Sequence, residues 1–252
     1  NNINLYKSKH PGDEFLYKWK NGGVNSTILP LQVQFASGEC LGGGSEINSG
    51  LYHKPDQDFI SKWKKNDGIV NLEINDLKEK LSELEEIINF TKEFDKNKIG
   101  SHEFFLKGAK EKNYSTEEVP IFQTINDDNK ESTKNTMSNL LIKKYLEEGG
   151  KLLTKFNVKN IQYVNNKWIV KGKKNTNNVQ LKCKYLFLSC GSINTGKLLI
   201  RSKIKLKNKV NTFKFHPMIK VIAKFSKKVQ EGHENVHPFQ ITKFYPDFII
   251  GH

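Results

Sequence analysis

The sequence predicts a mixed fold of α/β and α+β character, and three stretches carry that prediction. Leu77, Leu81, Leu84, Ile87 and Ile88 recur at helical spacing along one face. Between residues 151 and 183, short runs rich in β-branched, aromatic and leucine side chains alternate with Asn-rich turn signals, the pattern of a β-meander. The run "YLFLS" at 185–189 is apolar almost throughout and passes through Cys190-Gly191 into the helical "INTGKLLIRS". Strand, tight turn and helix in that order form half of a nucleotide-binding unit.

The elements follow in chain order. Residues 1 to 37 lack strong periodicity, and "NGGVNSTILPLQVQF" reads as a loop followed by a short extended run. The glycine-rich "GECLGGGSEINSGLYHKP" comes next, from Gly38 to Pro55, and its "SEIN" is a candidate helix start. Helical patterning runs from Asp58 to about Phe94, with Asn75 or Asp76 as N-cap of the leucine stripe and a charged opposite face. The polar zone "NDDNKESTKN" at 126–135 reads as an exposed loop or junction. A helix over "MSNLLIKKYLEE" stops at Gly149 and Gly150, the usual C-terminal glycine signal. The strands expected after it are "KLLTKF", "NIQYV", "KWIVKG", "VQLKC" and "YLFLS", the last buried on both faces.

Composition narrows the function classes. A chain of 252 residues is long enough for one large domain or two modest ones. Its 16 Phe, 8 Tyr and 3 Trp are more aromatic side chains than disordered segments carry. The net charge of +14 suggests a polyanion partner, but Arg201 is the sole arginine among 41 basic residues. Phosphate and guanine recognition favours the bidentate guanidinium fork, so the charge reads first as a solvated surface. Scarce alanine (Ala36, Ala109, Ala223) beside abundant Asn, Lys and Ile points to an AT-biased coding sequence. A basic module binding nucleic acid or an anionic surface is the alternative that the charge keeps open.

Cys40, Cys183 and Cys190 show no Cys-x-x-Cys spacing, so neither a disulfide framework nor a zinc or other metal site is expected. No apolar run approaches the ~20 residues of a membrane span, and a cytoplasmic location is the default. The first residue is Asn1, and the methionines are Met137 and Met218. The expectation is therefore a piece of a longer protein.

By itself the triplet Gly42, Gly43 and Gly44 admits either a flexible loop or a cradle in which backbone amides approach an anion or a flat ring. Its neighbours decide between them. "GECLGGGSEINSGLYHKP" resembles the first signature of the glucose-methanol-choline (GMC) flavin oxidoreductases. The resemblance implies that Gly42, Gly43, Gly44, Ser45 and Asn48, with Gly50 close behind, lie against FAD. "YLFLSCGSINTGKLLIRSKI" is similar to the second signature, with Ser189, Cys190 and Gly191 at its turn. "TMSNLLIKKYLEEGGKLLTKFNVKNIQY" is similar to the family's helix leading into a strand, which implies that Val158 contacts the adenine through its backbone. "NTFKFHPMIKV", with His216-Pro217, resembles the passage into the substrate domain, and "HPFQITKFYPDFIIGH" reads as strand material of that domain. The departures are Glu39, where the family more often has a basic residue, Gly196 in place of Pro or Ser, and Lys203 and Lys205 in place of Gly.

The resemblance implies an organisation as well. Residues 1–57 are expected to be part of a Rossmann-like FAD-binding domain and 58–130 a helical and loop insertion. Residues 131–206 are expected to be a further FAD-domain part with the β-meander, and 207–252 the start of an antiparallel-sheet substrate domain. The implied chemistry is oxidation of the CH–OH group of a small-molecule alcohol by hydride transfer to the flavin. The dinucleotide fingerprint Gly-x-Gly-x-x-Gly is expected upstream of Asn1 and the catalytic His downstream of His252, so no residue here is assigned as catalytic and these residues alone are expected to be inactive. His10, His102, His233 and His252 are read as surface residues. His53 is a surface residue or one that approaches the cofactor, and His216 is a structural turn residue rather than a base.

Overall fold

The computed structural model describes residues 12–28, 32–88, 91, 100–125, 132–205, 216–226, 229 and 239–251. The chain divides into two compact units, Asn1–Glu147 with Lys224–His252, and Glu148–Ala223, and each is taken by itself.

The first unit begins with α1 (Asp13–Tyr17) and a 3₁₀ turn at Lys20–Gly23. Ser26 bridges Gln34 and the Phe35 amide donates to the Asn25 carbonyl, so this stretch forms a narrow two-stranded ribbon. After the glycine segment comes α2 (Gln57–Asp67). The Asp56 carboxylate accepts from the Phe59 amide at 2.9 Å, capping the helix, and Gly68 ends it in the left-handed region at φ +65°. Next, α3 (Ile74–Ile87) carries the leucine stripe, with Leu77, Leu81 and Leu84 half-buried and Ile88 buried just beyond its end. Its N-cap is Glu73 and not Asn75 or Asp76, which fall inside the first turn, where Asp76 complements the helix dipole. The helical zone is therefore two helices separated at Gly68, and Phe94 lies outside the described residues.

A further helix, α4 (Gly100–Glu111), was not expected as a separate element. It buries Ser101 and His102, which are adjacent, and Ala109 two turns on along the same face. His102 is thus 4% exposed and stands edge-on to the Phe239 ring at 4.9 Å, which corrects its reading as a surface residue. His10, His233 and His252 lie outside the described residues, and His53 and His216 are exposed.

Strands β1 (Thr116–Glu118), β2 (Gln123–Ile125) and β3 (Ser132–Lys134) follow, with β2 and β3 paired antiparallel. Within the polar zone, Ser132–Lys134 are strand and Asn135 is buried, in place of the expected exposed loop or junction, and 126–131 lie outside the described residues. A π-helical turn at Ser138–Ile142 leads into α5 (Lys143–Glu147), which stops at Gly149 with φ +87°.

The second unit holds the meander of β4 (Phe156–Val164), β5 (Lys167–Lys174) and β6 (Asn177–Cys183), then α6 (Ser192–Arg201). Asn165 and Asn166 take the left-handed conformation at the first turn and Asn175 at the second. Ile161, Val170 and Leu198 form the buried core, with Phe156, Trp168, Leu186 and Leu188 packed against it. "KLLTK" at 151–155 is not strand, nor is "YLFLS". Leu186 and Leu188 face the core, whereas Tyr185 is 70% and Phe187 87% exposed. Burial on both faces needs a packed layer on each side, and this segment has one on the side of Leu186 and Leu188 only; no strand among the described residues pairs with it. Residues 216–226 are exposed and form no helix or strand.

Returning to the first unit, β7 (Phe239–Ile241) lies between β1 and β8 (Ile250–Gly251) in an antiparallel sheet, so the last residues are strand material as expected. Among the described residues no helix is long and apolar enough to cross a membrane.

Two stability outcomes follow from the second unit. Ile161→Ala removes a fully buried side chain between sheet and helix and is expected to destabilise by about 2–5 kcal/mol in a denaturant titration. Lys203 stands at φ +56°, where a glycine relieves the Cβ clash. Lys203→Gly is expected to raise stability by up to about 1 kcal/mol in the same titration.

Candidate functional site

The glycine segment is anchored on both sides. Before it, the Glu39 amide donates to the Lys18 carbonyl and the Lys20 amide to the Ser37 carbonyl, both at 2.8 Å. After it, the Tyr52 amide donates to Pro120 O at 2.8 Å and the Phe122 amide to Gly50 O at 2.7 Å. Between these anchors the chain folds into one 3₁₀ turn, Gly43–Glu46, so "SEIN" opens no α-helix and brings no helix dipole. Asn48 Oδ1 accepts from the Gly50 amide at 3.2 Å, and Gly50 at φ +75° turns the chain away.

The glycines of this segment have different reasons to be glycine. A Cβ on Gly38 would fall less than 3 Å from the Gly43 carbonyl, which is backbone and has no way to yield. Gly42 has φ +89°, and a Cβ there would overlap the Glu46 side chain. Gly43 and Gly44 have nothing within 4 Å of a built Cβ, so both face open space. Gly50 is buried, in ordinary contact distance of Phe122 and Lys134.

Polar groups from 134–138 close on the turn. Ser45 Oγ donates to Gly42 O at 2.9 Å and accepts from the Met137 amide at 3.0 Å. Ser138 Oγ donates to Glu46 Oε1 at 2.6 Å and lies 2.9 Å from Thr136 Oγ1. The Lys134 ammonium donates to the Asn48 carbonyl. Burial holds the Lys134 ammonium below its ordinary pKa, with Glu46 acting in the opposite direction. Burial first, and the Glu46 carboxylate second, pushes the Cys40 thiol up. Among the described residues no group of three or more His, Cys, Asp or Glu is placed to hold a metal ion.

The remaining candidates belong to the second unit. Val158 sits at a bulge in β4, and its carbonyl accepts from Arg201 Nη2 at 3.0 Å. Ser189, Cys190 and Gly191 are exposed, and Gly191 at φ +78° starts α6, so the turn and helix of the strand-turn-helix reading form while the expected strand before them does not. Gly42, Gly43, Gly44, Ser45, Asn48 and Gly50 therefore lie in one unit, and Val158 and the turn 189–191 lie in the other. Sequence reading missed Lys134, Thr136, Ser138 and Glu46. The first three lay in stretches read as loop and helix, and Glu46 lay inside the signature with no role assigned.

This arrangement of a glycine turn, a following Asn and a later turn into α6 can be compared with known proteins. The sequence model of the GMC oxidoreductases matches residues 15–219. The chain belongs to the GMC oxidoreductase family. It is also 26% identical, over 259 aligned positions and 97% of its own length, to an uncharacterized GMC-type oxidoreductase of Sinorhizobium fredii. The chain spans about half the length of that relative. Its Lys203, at a positive φ, stands where the family resemblance expects glycine, which accounts for the family's choice in steric terms.

The glycine contrast yields a stability outcome. Gly38→Ala is expected to lower the thermal midpoint sharply or abolish folding, because backbone must move to admit the methyl. Gly44→Ala, with open space and no left-handed backbone, is expected to stay within about 0.5 kcal/mol of the parent in the same melt.

Proposed function

We propose that this chain supplies part of the cofactor-binding wall of an FAD-dependent oxidoreductase acting on the CH–OH group of a small-molecule alcohol. The observation that carries the reading is the open side of Gly43 and Gly44, a cradle that side chains would fill, set in a turn held rigid on its other side. Backbone at such a place can come within van der Waals contact of a phosphate or a flat ring. The residues present fit a flavin dinucleotide on that ground, and family membership supports the same reading.

When bound, FAD supplies the two-electron acceptor for alcohol oxidation. The residues of this chain bind and orient. Gly43 and Gly44 give backbone approach, Asn48 offers an exposed amide beside them, and Gly42, Ser45 and Gly50 hold the shape of the turn. In the second unit, the backbone of Val158 is the proposed adenine contact, and Ser189, Cys190 and Gly191 offer amides at the start of α6, where the dipole favours negative charge. No residue of this chain is assigned the proton transfer from the alcohol.

The test uses the full reading frame that contains this chain. The purified protein is expected to carry FAD, seen by its visible absorbance and released on denaturation, and the colour is expected to bleach without oxygen on adding a substrate from a panel of alcohols. Gly44→Ala is expected to weaken FAD binding about tenfold or more while leaving the melt of the apoprotein unchanged, since a methyl would stand where the ligand approaches. A full-length protein that takes up no flavin, but binds DNA with an affinity falling steeply with salt, would replace this reading with the polyanion-binding alternative.

A further inference from the structure

We infer that Glu46 is the positioning residue of the glycine turn, setting the backbone that the cofactor meets without touching the cofactor itself. Glu46 is 8% exposed, an unusual burial for a carboxylate within one turn of a surface that is open at Gly43 and Gly44. Its Oε1 accepts the Ser138 hydroxyl at 2.6 Å, and Ser138 is itself buried, as is Thr136, whose hydroxyl lies 2.9 Å from that of Ser138. The same side chain lies against Gly42, filling the space where a Cβ would otherwise go.

Two successive residues thus reach one short segment 92 positions later: Ser45 accepts from the Met137 amide and Glu46 from the Ser138 hydroxyl. Hydrogen bonds to a buried charge are shorter and stronger than neutral ones, so the carboxylate is the firmer of the two pins. Its contact with Gly42 links the pin to the left-handed residue at φ +89° that turns the chain toward Gly43 and Gly44. The side chain acts through the backbone: it occupies the protein side of the turn and leaves the other side open.

This inference rests on the flavin reading, and its test separates the two. In the full-length protein, Glu46→Ala is expected to raise the FAD dissociation constant about tenfold or more, read by flavin fluorescence on titration into apoprotein, and to shift the visible flavin spectrum. Glu46→Gln keeps the volume and an acceptor for Ser138, and is expected to restore both to within about threefold of the parent. Ser138→Ala, a milder change should Glu46→Ala fail to fold, is expected to weaken FAD binding, and Glu46→Gln is expected to add nothing further to it in the Glu46→Gln/Ser138→Ala double variant. Unchanged FAD affinity and spectrum in Glu46→Ala, or a Glu46→Gln variant as defective as Glu46→Ala, would overturn the inference. If the parent takes up no FAD, the functional reading is what fails. Amide hydrogen exchange over residues 38–50 then decides the positioning role alone: faster exchange in Ser138→Ala supports it, and unchanged exchange refutes it.

Discussion

The close approach of backbone to backbone at the glycine turn is the constraint on which the first unit is organised. Gly38 lies so near the Gly43 carbonyl that a methyl group has no room, and Gly42 lies against the buried Glu46 side chain. A turn this tight leaves amides and carbonyls that must find partners. They find them in three places far apart in sequence: residues 18–20, residues 120–122, and residues 134–138. Each attachment closes a loop of tens of residues, and the entropy of those closures grows only slowly with length. The helical stretch between the glycine turn and β1 can therefore be long without weakening the turn.

The second unit solves a different problem with ordinary materials. A three-stranded meander and one helix enclose a small core of Ile161, Val170 and Leu198. The lone arginine of the chain serves structure here, its guanidinium bonded to the Val158 carbonyl at the β4 bulge. The exposed Tyr185 and Phe187, with their neighbours Leu186 and Leu188 turned inward, mark a segment whose alternation is that of a strand although no ladder pairs it among the described residues.

The chain belongs to the GMC oxidoreductase family. On the function proposed above, the chain separates two tasks. The glycine turn and the turn at 189–191 present backbone, which suits holding a large polar cofactor. Proton transfer from a substrate needs a side chain poised near its reacting atom; of the histidines that the structure describes, His102 packs against Phe239, while His53 and His216 are exposed.

By itself the sequence determined what depends on neighbours close along the chain. The α3 stripe, the Asn-rich hairpin turns of the meander, the stop at Gly149 and the start of α6 at Gly191 all follow from local spacing and from backbone freedom at named residues. The glycine signature was legible for the same reason, since its pattern is contiguous. Only the tertiary structure decided which glycines face inward and which face open space, because that depends on where Gly43 O and the Glu46 carboxylate come to lie. It also decided that Ser138 and Lys134 belong to the site, that His102 is buried, and that "YLFLS" is covered on one face only. Burial and pairing are set by partners distant in sequence, and the residue type of a serine, a lysine or a histidine does not say which partner it will meet.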